Sequence, residues 1–201
     1  MFIKSTLQRI FQFILLNLLL LPAFASPFGL IKGLTIQAIE EATGQKPIQE
    51  KNVFIISPPK THPSFDQYFV RINEKVGLYY IKAIGKPIST SVYGSELLSE
   101  YQTVLAGVRK TYGVPKEYNF LKAGSIWSEP NDWMMGLLKK ERVLMSVWSI
   151  NNGLILPDNI KQIILVGVAL KQDTGYIVLE YYFDNYDEAV KLEKEKVDSV
   201  F

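Results

Sequence analysis

Two apolar, β-branched and aromatic runs, residues 160–170 and 176–183, meet around Asp173-Thr174-Gly175. A glycine-containing connection between two such runs reads as a β-hairpin. This hairpin commits the chain to an antiparallel sheet, because parallel neighbours need a long crossover between them. The same pattern recurs upstream. Residues 68–72 and 78–84 flank the loop Asn73-Glu74-Lys75-Val76-Gly77. Val53–Ile56 adds a short strand that ends before Pro58-Pro59, and residues 143–150 add another, closed by Asn151-Asn152-Gly153.

Helical periods interrupt the strands. Over Ser95–Tyr112, Leu97, Leu98, Tyr101, Leu105, Val108 and Tyr112 fall on one stripe. Glu96 and Glu100 stand near its start and Arg109 and Lys110 near its end, as the helix dipole favours. Gly113-Val114-Pro115 stops it. Thr35 is an N-cap for an earlier helix, with Leu34 and Ile39 spaced as a hydrophobic staple and Gly44 and Pro47 as the stop. Asn131 or Asp132 caps a short helix to about Lys140, and a final amphipathic helix starts near Asp187. Residues 116–130 read mostly as loop. The pattern predicts an α+β fold, an antiparallel sheet with helices packed on one face. The order helix, three strands, helix, repeated, is compatible with a diverged tandem repeat of halves 26–115 and 116–201.

The first 25 residues carry an address. Lys4 and Arg9 precede the apolar stretch 10–21, and Pro22-Ala23-Phe24-Ala25 supplies an A-x-A site. This is the layout of a cleaved secretory signal. The apolar stretch is shorter than the ~20 residues of a spanning helix. Export to the periplasm is therefore expected, with 26–201 as one mature domain. The chain holds no cysteine, which excludes a lipid-anchored cysteine, disulfides, a thiol nucleophile and thiolate metal sites. Without Lys4 and Arg9, basic and acidic side chains balance at 20 each. A neutral domain has no global field to gather phosphates, so nucleic acid is not an expected partner.

Two stretches carry a resemblance. Gly33-Leu34-Thr35 followed by Gly44-Gln45-Lys46-Pro47 resembles the glycine-x-threonine, helix, glycine-x-x-proline pattern of the small lipoproteins of the outer-membrane barrel-assembly machinery. Those proteins share a helix-plus-antiparallel-sheet fold with the β-lactamase-inhibitor proteins, and they are anchored through a cysteine that this chain lacks. Phe28-Gly29, Gly33, Pro63-x-Phe65-x-x-Tyr68, Gly77-Leu78 and Tyr112-Gly113-x-Pro115 resemble exported proteins of Gram-negative bacteria with no assigned activity. The resemblance implies the envelope and no chemistry.

No catalytic constellation stands out. His62 is the only histidine, so a Ser-His-Asp device would need it with Ser57 or Ser64 and Asp66, and no G-x-S-x-G elbow is present. It reads as a loop histidine beside Pro63. One histidine without cysteine makes a zinc centre improbable, and no calcium-loop pattern occurs, so no metal or cofactor is expected. Glu129 with Asp132, and Asp66 with Glu74, are the nominal carboxylate pairs for glycoside hydrolysis. The most informative set is aromatic. Tyr118, Phe120, Trp127 and Trp133, with His62, are the candidate binding residues, because aromatics placed in a loop anchor partners or stack on sugars. Trp148 lies on a strand and reads as core. The interleaved Lys and Glu of 191–196 read as a solvated helix face.

These observations support an exported, non-catalytic protein that binds another envelope protein, as an inhibitor, immunity protein or assembly factor. The alternatives are a small cell-wall hydrolase using carboxylates and a periplasmic small-ligand module.

Overall fold

The computed structural model describes residues 26–198. The expected signal sequence therefore lies outside the described residues. In chain order the elements are α1 (Ile36–Thr43), β1 (Ile48–Glu50), β2 (Val53–Ile56), β3 (Phe65–Asn73), β4 (Gly77–Gly85), β5 (Ile88–Ser89) and α2 (Ser95–Tyr112). Then follow β6 (Lys116–Leu121), α3 (Trp133–Leu138), β7 (Arg142–Ser149), β8 (Ile160–Lys171), β9 (Thr174–Phe183) and α4 (Tyr186–Asp198). All nine strands form one antiparallel sheet in the order β1-β2-β3-β4-β9-β8-β7-β6, with β5 pairing β9 beyond the end of β4. This is the predicted α+β class.

The topology has an internal symmetry. A helix followed by four antiparallel strands occurs twice, as α1-β1-β2-β3-β4 and α2-β6-β7-β8-β9, the second interrupted by α3 between β6 and β7, and the last strands of the two units pair at the centre. The hairpin at 73–77 forms as its glycine and polar residues predict, while the second turns at Gln172-Asp173, one residue ahead of the expected Asp173-Thr174-Gly175, with Gly175 paired to Ala169 inside the sheet.

One face of the sheet is the core. Alternation along β4, β8 and β9 turns Ile81, Ala83, Ile163, Leu165, Leu179, Tyr181 and Phe183 to the same side, where all are buried. The stripe of α2 lands on them, with Leu97, Tyr101, Val104, Leu105, Val108 and Tyr112 buried. Each such aliphatic side chain contributes about 1.5–3 kcal/mol. The polar atoms carried inward are matched. The Tyr101 hydroxyl meets Ser146 Oγ at 2.7 Å, and Trp148 Nε1 donates to the Gly113 carbonyl at 2.7 Å. Trp148 is thus core, as its strand position indicates.

α1 is framed by the residues expected to frame it. Thr35 Oγ1 accepts from Ala38 N, and Gly44 closes the helix in the left-handed conformation. Gly33 N donates to the Leu78 carbonyl, and Leu78 N to that of Leu34. The two backbones run so close that a Cβ on Gly77 would sit 2.1 Å from the Gly33 oxygen.

Three expectations need correction. Residues 116–121 are not loop but the edge strand β6, paired with β7. Asp132 makes no side-chain cap; it belongs to a 3-10 turn, Pro130–Asp132, that leads into α3. β1 and β5 are short additional strands.

α1, α2 and α3 share the core side. α4 lies across one end of the other side. A bulge puts it there: Arg71 pairs with Tyr80 and Ile72 with Leu78, leaving Tyr79 without a cross-strand partner. Tyr79 and Tyr80 then both reach Tyr186 of α4, at ring separations of 5.7 and 6.4 Å. Ion pairs Lys161–Asp187, Arg71–Glu193 and Lys196–Glu74 fasten α4 along its length. Among the described residues no helix is long and apolar enough to cross a membrane.

Candidate functional site

Beyond α4 the second face of the sheet carries no covering element among the described residues. The register orders its side chains into rows that run across the strands. One row reads Ser149, Gln162, Tyr182, Tyr80, Arg71. The next reads Lys116, Val147, Ile164, Glu180, Lys82, Phe69, Ile55. A third reads Tyr118, Met145, Val166, Val178, Ile84, Gln67. Phe120 with Val143, and Val168 with Tyr176, continue it. The face therefore has two parts: an aliphatic field on β7–β9 and a polar, tyrosine-rich cleft on β3, β4 and β9 beside α4.

Val143, Met145, Ile164, Val166 and Val168 of the aliphatic field are half-buried, and Val147 and Val178 between them are buried. With strands about 4.8 Å apart, the six strands from β6 to β3 span about 24 Å. Four rows at two residues per step add about 20 Å in the other direction.

The cleft has a volume of about 390 Å³ and is lined by Asn52, Val53, Phe69, Arg71, Tyr80, Lys82, Ile84, Tyr182 and Tyr186. Tyr80, Tyr182 and Tyr186 form an edge-to-face nest, with Tyr182 5.0 Å from each of the other two. Glu180 holds it: its carboxylate accepts the Tyr80 hydroxyl at 2.6 Å and the Tyr182 hydroxyl at 2.9 Å, and Lys82 Nζ stands 3.7 Å away. Glu193 of α4, outside the lining of the cleft, likewise accepts from Tyr79 and, at 2.9 Å, from Arg71. The Arg71 guanidinium also lies over the Tyr79 ring, 5.4 Å from its centre. Burial, and then the hydrogen bond to Glu180, pushes the Tyr80 hydroxyl far above its ordinary value. Burial and the Glu180 charge do the same to Tyr182. These hydroxyls are held protonated as donors to Glu180.

The five sequence-predicted residues do not converge. Tyr118 and Phe120 do share the open face, at the β6 edge; Tyr118 is half-buried under the Lys116 ammonium, 5.2 Å from its ring centre, and Phe120 is exposed. Trp133 is on the core side. It packs so flat against Gly94 that a Cβ there would lie 2.3 Å from its ring, and Arg142 stacks over it at 5.6 Å. Trp127 is half-buried beside Gly136 of α3. His62 is exposed in the β2–β3 loop, its Nδ1 accepting from Ser64 N and its ring against Phe65. It rims a cavity of about 260 Å³ with Phe28, Val108 and Tyr112. Five strand spacings, about 24 Å, separate β3 from β6.

Of the two nominal carboxylate pairs, Asp66 with Glu74 is too widely separated for glycoside chemistry. Asp66, the second residue of β3, and Glu74, just past its end, lie about 27 Å apart at the rise of a strand, against the ~5–9.5 Å that such pairs need. Glu129 is exposed and accepts the Asp132 backbone N–H through its own carbonyl. Among the described residues no group of three His, Asp or Glu is placed to hold a metal ion.

The cleft was missed because its parts are far apart in the chain; Tyr80 and Glu180 are 100 residues apart. The signal available was alternation: Tyr80-x-Lys82 and Glu180-x-Tyr182 fall opposite the core-facing Ile81 and Tyr181.

No family model matches the chain, and no curated protein or solved structure matches it. The resemblance of residues 33–47 to the barrel-assembly lipoproteins rests on those residues alone. In the structure Thr35 and Gly44 serve as caps of α1.

Proposed function

We propose that this is an exported, non-catalytic binding protein of the periplasm that captures another envelope protein on its open sheet face. The observation that carries the reading is the aliphatic field of Val143, Met145, Val147, Ile164, Val166, Val168 and Val178. The largest contiguous apolar patch on a monomeric soluble protein, commonly about 300–600 Å², is often a functional surface. The field with its β6 margin covers three strand spacings, about 14 Å, by about 20 Å, the scale of the apolar centre of a standard interface of ~800 Å² per partner. Tyr118, Phe120 and Tyr176 stand at its margin as aromatic anchors. The partner therefore presents an apolar surface flat enough to lie on a sheet. An inhibitor, an immunity protein or an assembly factor each works by such occlusion.

The test is site-specific photo-crosslinking in the native envelope. A probe at Val166 or Val168 is expected to capture one defined protein. A probe at Gly107, on the outer side of α2, captures none. Val166→Asp is expected to abolish the capture with little change in the thermal midpoint, because the site is already half-open to water. Equal capture from both faces, or capture that survives Val166→Asp, refutes the reading.

A further inference from the structure

We infer that the tyrosine cleft beside α4 is a binding site for a small aromatic carboxylate. The inference does not rest on the protein-docking reading, which concerns the aliphatic field on the neighbouring strands.

The size comes first. A cavity of about 390 Å³ lies within the ~300–1,000 Å³ range of small-molecule sites. The charge of the walls comes next. The two charged side chains that line the cleft, Arg71 and Lys82, are both cations, and their carboxylate partners Glu180 and Glu193 are outside the lining. Arg71 is engaged, donating to Glu193 and lying over Tyr79. Lys82 is not: at 3.7 Å its ammonium is in ion-pair range of Glu180 but too far for a hydrogen bond. Its donors are available to an anion entering the cleft. A ligand carboxylate there gains charge-assisted hydrogen bonds in a setting partly withdrawn from water.

The shape of the apolar walls selects the rest of the ligand. Phe69, Tyr80, Tyr182 and Tyr186 supply four rings, and Val53 and Ile84 the remaining apolar surface. The three tyrosine planes are tilted by 57 to 70° to one another. A tilted nest offers no flat shelf for a sugar ring. It receives another aromatic ring edge to face, the arrangement that ring quadrupoles favour. A bare phosphate or short carboxylate leaves these rings unmatched.

The experiment is isothermal titration of the purified protein with three probes: 2-naphthoate, the uncharged 2-naphthalenemethanol, and acetate. One saturable site for 2-naphthoate is expected, with the alcohol at least tenfold weaker and acetate showing no saturation. Lys82→Gln is expected to bring the naphthoate affinity down to that of the alcohol. Tyr182→Leu is expected to weaken both aromatic probes together. No saturable naphthoate binding, or equal affinity for the alcohol, overturns the inference on the unaltered protein alone. A folded Lys82→Gln variant that keeps the preference for the carboxylate overturns it as well. Partner capture from Val166 is a separate readout, so the failure of one reading is distinguishable from failure of the other.

Discussion

Glu180→Gln tests the centre of the cleft. The carboxylate serves two tyrosine hydroxyls, one on each oxygen, at 2.6 and 2.9 Å. Glutamine keeps the shape and one acceptor oxygen, but it turns the other into an NH₂ donor facing a hydroxyl. Hydrogen bonds to a charged group contribute about 1.5–3 kcal/mol, against about 0.5–1.5 for neutral pairs. Downgrading two of them in a cluster half-open to water gives an expected loss of about 1–2 kcal/mol. Lys82, a third exposed, adds little when its partner is neutralised. The assay is urea unfolding of the unaltered protein, Glu180→Gln, Tyr80→Phe and the double variant. The two sites share a bond, so the double-variant cycle is expected to show a coupling of about 1 kcal/mol. An ultraviolet titration of the tyrosines gives the second readout. Burial is the largest cause of the upward shift of Tyr80 and Tyr182, and Glu180 adds to it by hydrogen bond and charge. Removing the charge moves both ionisations down while burial keeps them above the ordinary value near 10. Additive effects with an unmoved titration refute the claim that Glu180 organises the nest.

Alkali is expected to unfold the protein through its buried tyrosines. Burial pushes Tyr101 up to about 12 and raises Tyr112 and Tyr181 as well. These groups stay protonated in the native state after the unfolded chain has ionised near pH 10. Their contribution is therefore intact below about pH 10 and falls above it, by about 1.4 kcal/mol per pH unit each. Three together give a slope of about 4 kcal/mol per pH unit; flat urea midpoints between pH 8 and 11 contradict this. Gly77→Ala meets the Gly33 backbone at 2.1 Å at a φ of +70° and is expected to cost more than about 3 kcal/mol. Gly44→Ala, at φ +66° in open space, is the control, with an expected cost of about 1 kcal/mol. Similar thermal midpoints for the two variants contradict the close-approach argument.

What was legible in the sequence was whatever rests on local periodicity. The bounds of α2 follow from its stripe and its stop at Gly113, and the two long hairpins follow from alternation and turn residues. β6 escaped because Lys116, Glu117 and Asn119 are exposed at the sheet edge, leaving Tyr118 and Phe120 as the only period-2 signal. Trp133 looked like a loose anchor because nothing local reveals Gly94 waiting to receive its ring. The cleft is a product of register. The pairing of β4 with β9 sets Tyr80 opposite Tyr182 and Lys82 opposite Glu180, and no local pattern encodes that pairing. The bulge at Tyr79 is equally silent, since two adjacent tyrosines read as an ordinary strand.

The open face conflicts with the usual economy of antiparallel sheets, in which a solvated face alternates polar residues with the apolar ones turned inward. Ile163-Ile164-Leu165-Val166 on β8 and Ile177-Val178-Leu179 on β9 are apolar on both sides. Continuous runs of this kind belong to sheets covered on both faces. At about 25 cal/mol per Å², a patch of ~300 Å² holds about 7–8 kcal/mol of burial that the described fold leaves unrealised. α4 does not move over to supply it. The Tyr79 bulge, the Glu193 hydrogen bonds and the Asp187–Lys161 pair hold this helix at the tyrosine end. The paired Lys82 and Glu180 near the middle of the face and Lys116 at its edge work against indiscriminate sheet-to-sheet association, as charges on β-structure do elsewhere. On the docking reading proposed above, an apolar field kept open by a fastened helix and punctuated by a charge pair discriminates among the surfaces that approach it. A partner must bring apolar area to β7–β9 and leave the Lys82–Glu180 pair either solvated or matched. On the docking reading, that requirement is what would separate specific capture at Val166 from general stickiness.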